Sequence, residues 1–184
     1  SEKLIVERIL GSFSDHDILT EESPAIAHGS PFRWIVDPLD GTTNYAHGFP
    51  VFSVSIALEV AGSIRLGAVY NPMLEEMFIA EKGAGAFLNG RPMAVSRVAE
   101  LSRSLLATGF PYDLRSNPNN NMNYLDTMVL KSQAVRRVGS AARNPGLTRT
   151  ASVSPGWRAR PAMMGGSRTC VPAGGAIRYK LLLS

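Results

Sequence analysis

The sequence predicts an α/β domain, and three observations support this fold class. Residues 2–12 repeat apolar side chains with the 3.6-residue period of an amphipathic helix. A series of short apolar segments, separated by Gly, Pro and Asn, then indicates strands. A second helical segment over 121–132 is entered through a polar, Asn-rich stretch.

The predicted strands share alternating or continuous apolar patterns that end at turn residues. They cover residues 33–36, 51–58, 63–70, 76–81, 85–88, 104–108 and 134–138. Asn89-Gly90, directly after one of these strands, predicts a tight turn. Residues 139–142, Gly-Ser-Ala-Ala, have the composition of a helix start.

Length and composition set the limits for this chain. Its 184 residues, 45% of them hydrophobic, are enough for one domain with a real core. Because no apolar stretch reaches the length of a membrane span and no signal peptide opens the chain, we expect no membrane partner. The single cysteine, Cys170, excludes an internal disulfide, so a reducing cytoplasm is expected. The start, in helical rhythm and without Met, predicts a longer parent protein whose first helices are missing here.

Charge divides the chain into two parts. Residues 1–142 hold 12 Lys and Arg against 15 Asp and Glu, a net charge of −3. Residues 143–184 hold 7 Lys and Arg and no acid, a net charge of +7, with 6 Gly and 4 Pro. This tail has the composition of coil, including 158–161, with an apolar patch at 179–183. A basic tail is usually solvated, so we do not expect a nucleic-acid partner.

The acidic motif Asp37-Pro38-Leu39-Asp40 has the composition of a metal site. Mg²⁺ takes oxygen ligands, and both carboxylates can face one site if the chain turns at Pro38. The Leu39 carbonyl would point the same way, and Glu21 from a nearby segment would add a third carboxylate. Alone, Asp-Pro-x-Asp-Gly is more often a surface turn and Glu21-Glu22 a solvated helix cap.

The residues after this motif suit a phosphate. Gly41 lets the backbone approach a ligand closely, and the amides of Gly41, Thr42 and Thr43 would lie at a helix N-terminus. The Thr42 hydroxyl could hold a water between itself and Glu21, in place to attack phosphorus. Together these residues indicate a metal-dependent phosphatase.

Residues 1–142 resemble the inositol monophosphatase family of Mg²⁺-dependent, lithium-sensitive phosphomonoesterases. Four stretches carry the resemblance in the family order: residues 19–23, 34–44, 84–90 and 138–142. The second is very specific. The resemblance implies a layered sandwich of helices and mixed sheets, as in the inositol monophosphatase and fructose-bisphosphatase superfamily, here as an incomplete fragment. It also implies a homodimer for the full-length parent.

The resemblance assigns a role to each matching residue. Glu21, Asp37, Asp40 and the Leu39 carbonyl would be metal ligands, and Glu21 with Thr42 would orient the attacking water. Gly41, Thr42 and Thr43 would bind the phosphate. Asp40 and Ala141 would contact the alcohol part of the substrate.

The chain departs from the family in its acids. Family members carry an acidic residue in the helix before Glu2, and a late Asp, preceded by a substrate-contacting Glu, that completes a second metal site. Nothing after Asp126 is acidic, so a second metal would keep only Asp37 and Asp40. We hypothesise that residues from about 143 are translated in a shifted frame. Resequencing the coding DNA and translating all three frames tests this.

Several functions stay open at this point. Myo-inositol monophosphate is the first substrate, with histidinol phosphate and 3′-phosphoadenosine nucleotides as alternatives. A hypothesis of another class is a catalytically deficient remnant, or a binding protein that uses its basic tail on RNA, since bacterial relatives of this family associate with the transcription machinery. A third is that the chain folds poorly, which a broad, uncooperative melt would show.

Overall fold

The chain divides into two units in a computed structural model, which describes residues 1–110, 116, 122–140, 157–159 and 170–172. The first unit holds residues 1–94 together with 139–140. The second holds the described residues from 95 to 138 and those beyond 140.

A seven-stranded mixed sheet forms the centre of the first unit. Its elements, in chain order, are α1 (Glu2–Ser12), β1 (Asp17–Thr20), β2 (Phe32–Asp40), α2 (Thr42–Ala46), β3 (Ser53–Val60), β4 (Ser63–Asn71), β5 (Glu76–Glu81), β6 (Gly85–Leu88) and β7 (Arg91–Pro92). The strands lie side by side in the order in which they occur along the chain. β1 pairs with β2 in parallel, and every later pair is antiparallel.

The two faces of this sheet carry different clusters. On one face, Ile9 of α1 packs with Ile18 and Val36, joined by half-buried neighbours such as Trp34 and Ile56. The other face holds Val69, Phe78 and Leu88, with Met93 packed against them. Because side chains alternate across a strand, Asp37 lies on this second face: its register partner is Ser55, whose own partner is Val69.

The second unit contains shorter elements. A 3₁₀ turn at Leu101–Arg103 precedes β8 (Leu105–Ala107), and α3 (Met122–Lys131) precedes β9 (Ala134–Arg136). β8 and β9 pair in parallel. Farther along, β10 (Trp157–Ala159) and β11 (Cys170–Pro172) form an antiparallel pair. No helix in the described parts of the chain has both the length and the apolarity to cross a membrane.

The mixed α/β class and most elements agree with the sequence. The helix over 2–12 and the strands over 76–81 and 85–88 have the predicted bounds. The predicted tight turn is present, with positive φ at both Asn89 and Gly90 between β6 and β7.

Four points differ from the sequence predictions or fall outside the described residues. β1 was not predicted, because four residues that begin with Asp show no clear alternation. The prediction of coil over 158–161 is wrong for Arg158 and Ala159, which lie in β10, where pairing with β11 overrides the local sequence. The predicted helix start at 139 is not helical at Gly139 and Ser140, and Gly139 has a φ of 76°. The apolar patch at 179–183 lies outside the described residues.

A buried carboxylate, Asp17, holds the far end of the long β1–β2 connection. Its Oδ1 accepts hydrogen bonds from the backbone N–H groups of His28, at 2.7 Å, and Ser30, at 3.1 Å. These bonds, together with the nearby guanidinium of Arg33, hold the pKa of Asp17 below its usual value. The carboxylate form of Asp17 is therefore stabilised by folding.

Replacing Asp17 with Asn should lower the melting temperature at pH 7, since Asn keeps the shape but loses two charge-assisted bonds. A carboxylate with a lowered pKa stabilises the fold above its unfolded-state pKa and loses this effect as the pH falls through its folded-state pKa. The difference between wild type and Asp17→Asn should thus shrink in acid below about pH 4. Thermal melts against pH measure this, with the exposed Asp15→Asn as control. Equal melting temperatures at pH 7 would contradict the expectation.

Candidate metal and phosphate site

The predicted acidic residues come together at one edge of the sheet. β1 and β2 are parallel neighbours, so their carboxyl ends meet there. Glu21 directly follows β1, and Asp37 to Asp40 form the end of β2. Thr20 pairs with Val36, which places the next residue of each strand, Glu21 and Asp37, on the same side.

A β-bulge brings Asp37 and Asp40 to one face. In a regular strand, residues three apart point to opposite faces. Here Asp37 pairs with Ser55 and Asp40 with Ser53, so β2 has one residue more than β3 over this stretch. The expected turn at Pro38 is thus a bulge within a continuous strand, and the buried Pro38 occupies it.

Burial and neighbouring negative charge both disfavour the ionised form of Asp37. Burial of this half-buried group and the charge of Glu21 raise the pKa of Asp37 to about 7, and the charge of Asp40 adds to the effect. A hydrogen bond of 3.0 Å from the Leu39 N–H to Asp37 Oδ1 acts in the opposite direction. Two like charges raise the pKa of a carboxyl between them, and a bound cation would relieve this repulsion.

A side-chain hydrogen bond links Thr42, the first residue of α2, to the backbone of Leu39. The Thr42 hydroxyl donates a hydrogen bond of 3.0 Å to the Leu39 carbonyl oxygen. A hydroxyl that donates still has acceptor lone pairs, and a carbonyl oxygen accepts two bonds. Both atoms therefore keep capacity for a water or a cation.

Gly41 places the backbone where a side chain could not go. Its φ is 93°, and a Cβ built on it would lie 2.9 Å from the Val51 carbonyl oxygen and 3.4 Å from Ser140 Cβ. The next two residues, Thr42 and Thr43, open the five-residue helix α2. The N–H groups of a first helical turn have no acceptor inside the helix, so they face outward as donors.

Two buried hydroxyl groups converge on Asp40. Ser140 Oγ donates a short hydrogen bond to Asp40 Oδ2, and Ser53 Oγ lies 3.4 Å from the same oxygen. The two hydroxyl oxygens are 3.4 Å apart, and both serines are nearly inaccessible to solvent. Asp40 is therefore held in one orientation by groups on β3 and by a residue 100 positions away.

Several residues near the site were not predicted from the sequence. Ser53 and Ser140 are among them, together with Glu2, whose carboxylate is bonded to the backbone of Glu22. Ser53 and Ser55 alternate with apolar residues on β3, and this alternation is the local signal from which buried hydroxyl groups could have been predicted. The predicted substrate residue Ala141 lies outside the described residues.

Replacing Ser140 with Ala should lower the free energy of unfolding by about 1–2 kcal/mol, because the half-buried carboxylate of Asp40 loses a hydrogen bond from a buried hydroxyl. Ser55→Ala is the matched control. The Ser55 hydroxyl is buried without a hydrogen-bond partner among the described residues, so removing it should be neutral or slightly stabilising. Urea unfolding of both variants measures the difference. Equal losses in the two variants would contradict the role assigned to the Ser140 hydroxyl.

The donor set fits a hard cation. Three carboxylates and a backbone carbonyl supply the oxygen ligands that Mg²⁺ takes. Within the described ranges, however, no three Asp, Glu, His or Cys side chains already have the arrangement of a metal site. The acids are close enough to raise the pKa of Asp37 but are not drawn together around a shared point.

Comparison with known proteins shows the family to which the chain belongs. The model of the inositol monophosphatase family matches residues 1–148, six residues beyond the limit of the sequence resemblance. The chain belongs to the inositol monophosphatase family, a family of phosphatases. It is 46% identical over 143 residues to the inositol-1-monophosphatase of Synechocystis, covering 77% of this chain and 50% of that protein. Over the same number of residues it is 41% identical to the Nus factor SuhB of Vibrio cholerae, covering 77% of this chain and 54% of that protein.

A solved structure shares the fold. The inositol monophosphatase from Anabaena aligns with a TM-score of 0.80 and 36% identity, over 94% of this chain and 79% of that one. The predicted family and its mixed α/β fold are thus confirmed. The chain spans about half the length of the curated relatives it matches.

Proposed function

We propose that the protein hydrolyses a small phosphomonoester, in the first place myo-inositol monophosphate, to an alcohol and phosphate in a Mg²⁺-dependent reaction. The observation that carries this proposal is the convergence of Glu21, Asp37 and Asp40 at one edge of the sheet, where burial and the nearby carboxylates raise the pKa of Asp37 to about 7. Perturbed carboxyl groups clustered at the carboxyl ends of parallel strands are typical of functional sites.

In this proposal Glu21, Asp37, Asp40 and the Leu39 carbonyl hold Mg²⁺. When bound, the cation supplies charge neutralisation for the phosphate and makes water a better nucleophile. The bulge in β2 supports the set, because it turns Asp37 and Asp40 to one face. Ser53 and Ser140 add support by fixing one oxygen of Asp40.

Glu21 and Thr42 orient the attacking water. The Thr42 hydroxyl uses its proton on the Leu39 carbonyl, so toward a water it can act only as an acceptor. Glu21 is exposed next to Asp37, and its carboxylate accepts the second hydrogen bond that the same water donates. A water held by two acceptors presents an oxygen lone pair to phosphorus.

The phosphate lies against Gly41, Thr42 and Thr43. The left-handed backbone at Gly41 requires glycine, because a Cβ would meet the Val51 carbonyl oxygen and displace the start of α2. The first-turn amides of α2 donate to the phosphate oxygens. Asp40 and Ala141 contact the alcohol part of the substrate.

The test is phosphate release from myo-inositol 1-phosphate by the chain, with and without Mg²⁺. We expect release that stops in chelator and returns with Mg²⁺. Histidinol phosphate and 3′-phosphoadenosine nucleotides are assayed beside it. A faster rate on either would make that compound the preferred substrate and leave the proposed reaction unchanged. Equal release in chelator, or none with any substrate, would reject the proposal for this chain.

A second candidate function is RNA binding through the tail. Two observations favour it: residues 143–184 have a net charge of +7, and several similar proteins, that of Vibrio cholerae among them, bear the name Nus factor SuhB. Such binding would weaken steeply with salt, because it releases counterions. It should be lost when 143–184 are removed. Binding that survives this truncation, or no binding at low salt, would reject it.

A further inference from the structure

The first turn of α1 lies at the same edge of the sheet as the acidic residues. Only residues 13–16 connect α1 to β1, so the helix runs back along the strand. Its N-terminus therefore lies beside the carboxyl ends of β1 and of its parallel neighbour β2. Packing of Ile9 against Ile18 and Val36 fixes the helix in this place.

Ser1, directly before α1, contacts the end of β2. Its hydroxyl donates a hydrogen bond of 3.2 Å to the Pro38 carbonyl oxygen. The bond therefore ties α1 to the bulge that carries Asp37 and Asp40.

Glu2 makes the matching contact just beyond the end of β1. Its Oε2 accepts a hydrogen bond of 3.2 Å from the backbone N–H of Glu22, the residue after Glu21. Glu2 is only 7% exposed. Burying a carboxylate is unfavourable unless it is hydrogen-bonded, and the Glu22 amide supplies such a bond.

We propose that Ser1 and Glu2 form a brace that sets the spacing between Glu21 and the pair Asp37 and Asp40. Glu2 is the positioning residue: it acts through the backbone of Glu22 and does not touch the substrate. The brace explains how an exposed segment such as Glu21-Glu22 keeps a fixed position beside a buried strand. This inference rests on the proposed function only in that the three acids hold Mg²⁺.

Two variants and a control test the brace. Glu2→Ala removes the acceptor, whereas Glu2→Gln keeps an amide oxygen that can accept the same bond. Glu7→Ala, on the same helix, is the control. The Glu7 side chain is 60% exposed, with Lys3 Nζ at 3.9 Å, a surface pair of little energetic value.

Hydrogen exchange resolved by residue gives the first readout, and it requires no metal. In Glu2→Ala the Glu22 amide should exchange about tenfold faster, with a smaller rise over residues 37–40. Exchange in β3 and β4 should stay as in the wild type. Glu2→Gln should restore most of the protection, and Glu7→Ala should leave it unchanged.

Mn²⁺ titration followed by electron paramagnetic resonance gives the second readout. Glu2→Ala should bind Mn²⁺ at least fivefold more weakly than wild type, and Glu2→Gln should recover much of the affinity. If the wild type binds no Mn²⁺, the proposed function fails for this chain, but the exchange data still decide whether the brace exists.

Three outcomes would overturn the proposal. Unchanged exchange at Glu22 in Glu2→Ala would show that the contact carries no constraint. A uniform rise over α1, β3 and β4 would show a structural role alone. If the wild type binds Mn²⁺ and Glu2→Ala binds it equally well, the contact between Glu2 and Glu22 does not influence metal binding.

Discussion

Replacing Asp37 with Asn should abolish Mg²⁺-dependent phosphate release while making the metal-free protein more stable above pH 7. Loss of a carboxylate between the two other acids should reduce the rate about a thousandfold or more, since the ligand set loses several kcal/mol of charge stabilisation. The gain in stability comes from the same carboxylate, which is half-buried and, in the absence of a cation, repels Glu21 and Asp40.

The gain should depend on pH in a defined direction. The folded chain raises the pKa of Asp37 from 3.8 to about 7, so protonated Asp37 is favoured by folding. This contribution to stability is complete below pH 3.8 and is lost as the pH rises to about 7. The melting temperature of Asp37→Asn should therefore exceed that of wild type increasingly over this range. Above this pH range the difference in the free energy of unfolding between the variant and wild type should level off at about 1 kcal/mol. Solvent screening of this half-buried group keeps the value small.

Thermal melts in chelator from pH 4 to pH 8 measure this difference, and Mg²⁺ should reverse the order by stabilising the wild type. Asp126→Asn, which removes an exposed carboxylate from α3, is the control and should follow the wild type. An active Asp37→Asn variant would remove Asp37 from the metal ligands. A variant less stable than wild type at pH 8 in chelator would contradict the charge repulsion.

Replacing Gly41 with Ala should lower the free energy of unfolding by about 3 kcal/mol. Two costs combine at this position. A φ of 93° is strained for any residue with a Cβ, and the added methyl group would lie 2.9 Å from the Val51 carbonyl oxygen. Because the Val51 oxygen belongs to the backbone, it cannot rotate away. We also expect loss of phosphate release, since relief of the overlap would move the first-turn amides of α2.

Two other glycines separate these costs. Gly48 has a φ of 66° with no atom within 4 Å of where its Cβ would lie, so Gly48→Ala should cost about 1 kcal/mol of backbone strain alone. Gly11 lies in α1 with open space and no positive φ, so Gly11→Ala should stabilise the protein by about 0.5–1 kcal/mol. Urea unfolding ranks the three variants. A Gly41→Ala variant no worse than Gly48→Ala would show that the Val51 contact yields easily.

The elements that the sequence predicts well are those whose pattern is local. The amphipathic repeat of α1 and the strands at 76–81 and 85–88 need no distant partner to be recognised. The position of the acidic motif after a buried strand could likewise be predicted, because the motif lies within one continuous stretch. Its composition indicated oxygen ligands, and the resemblance supplied the family, which comparison with known proteins confirms.

The details that orient the site could not be predicted, because they depend on distant partners. The extra residue in β2 is visible only once β3 is paired with it. The contact of Glu2 with Glu22 spans 20 positions, and that of Ser140 with Asp40 spans 100. Neither Glu2 nor Ser140 differs locally from a helix-start acid or a loop serine.

The order of the strands has a consequence for how the molecule is assembled during synthesis. Each strand of the seven-stranded sheet pairs with the one made just before it, so every step closes a local loop, the longest being the β1–β2 and β2–β3 connections, at modest entropic cost. The sheet can then grow as the chain leaves the ribosome, and residues 1–94 need no later segment for their strand pairing. Ser140 reaches Asp40 only after this framework exists. Errors in translation between residue 94 and this serine would therefore spare the strand pairing but remove a hydrogen-bond partner of Asp40.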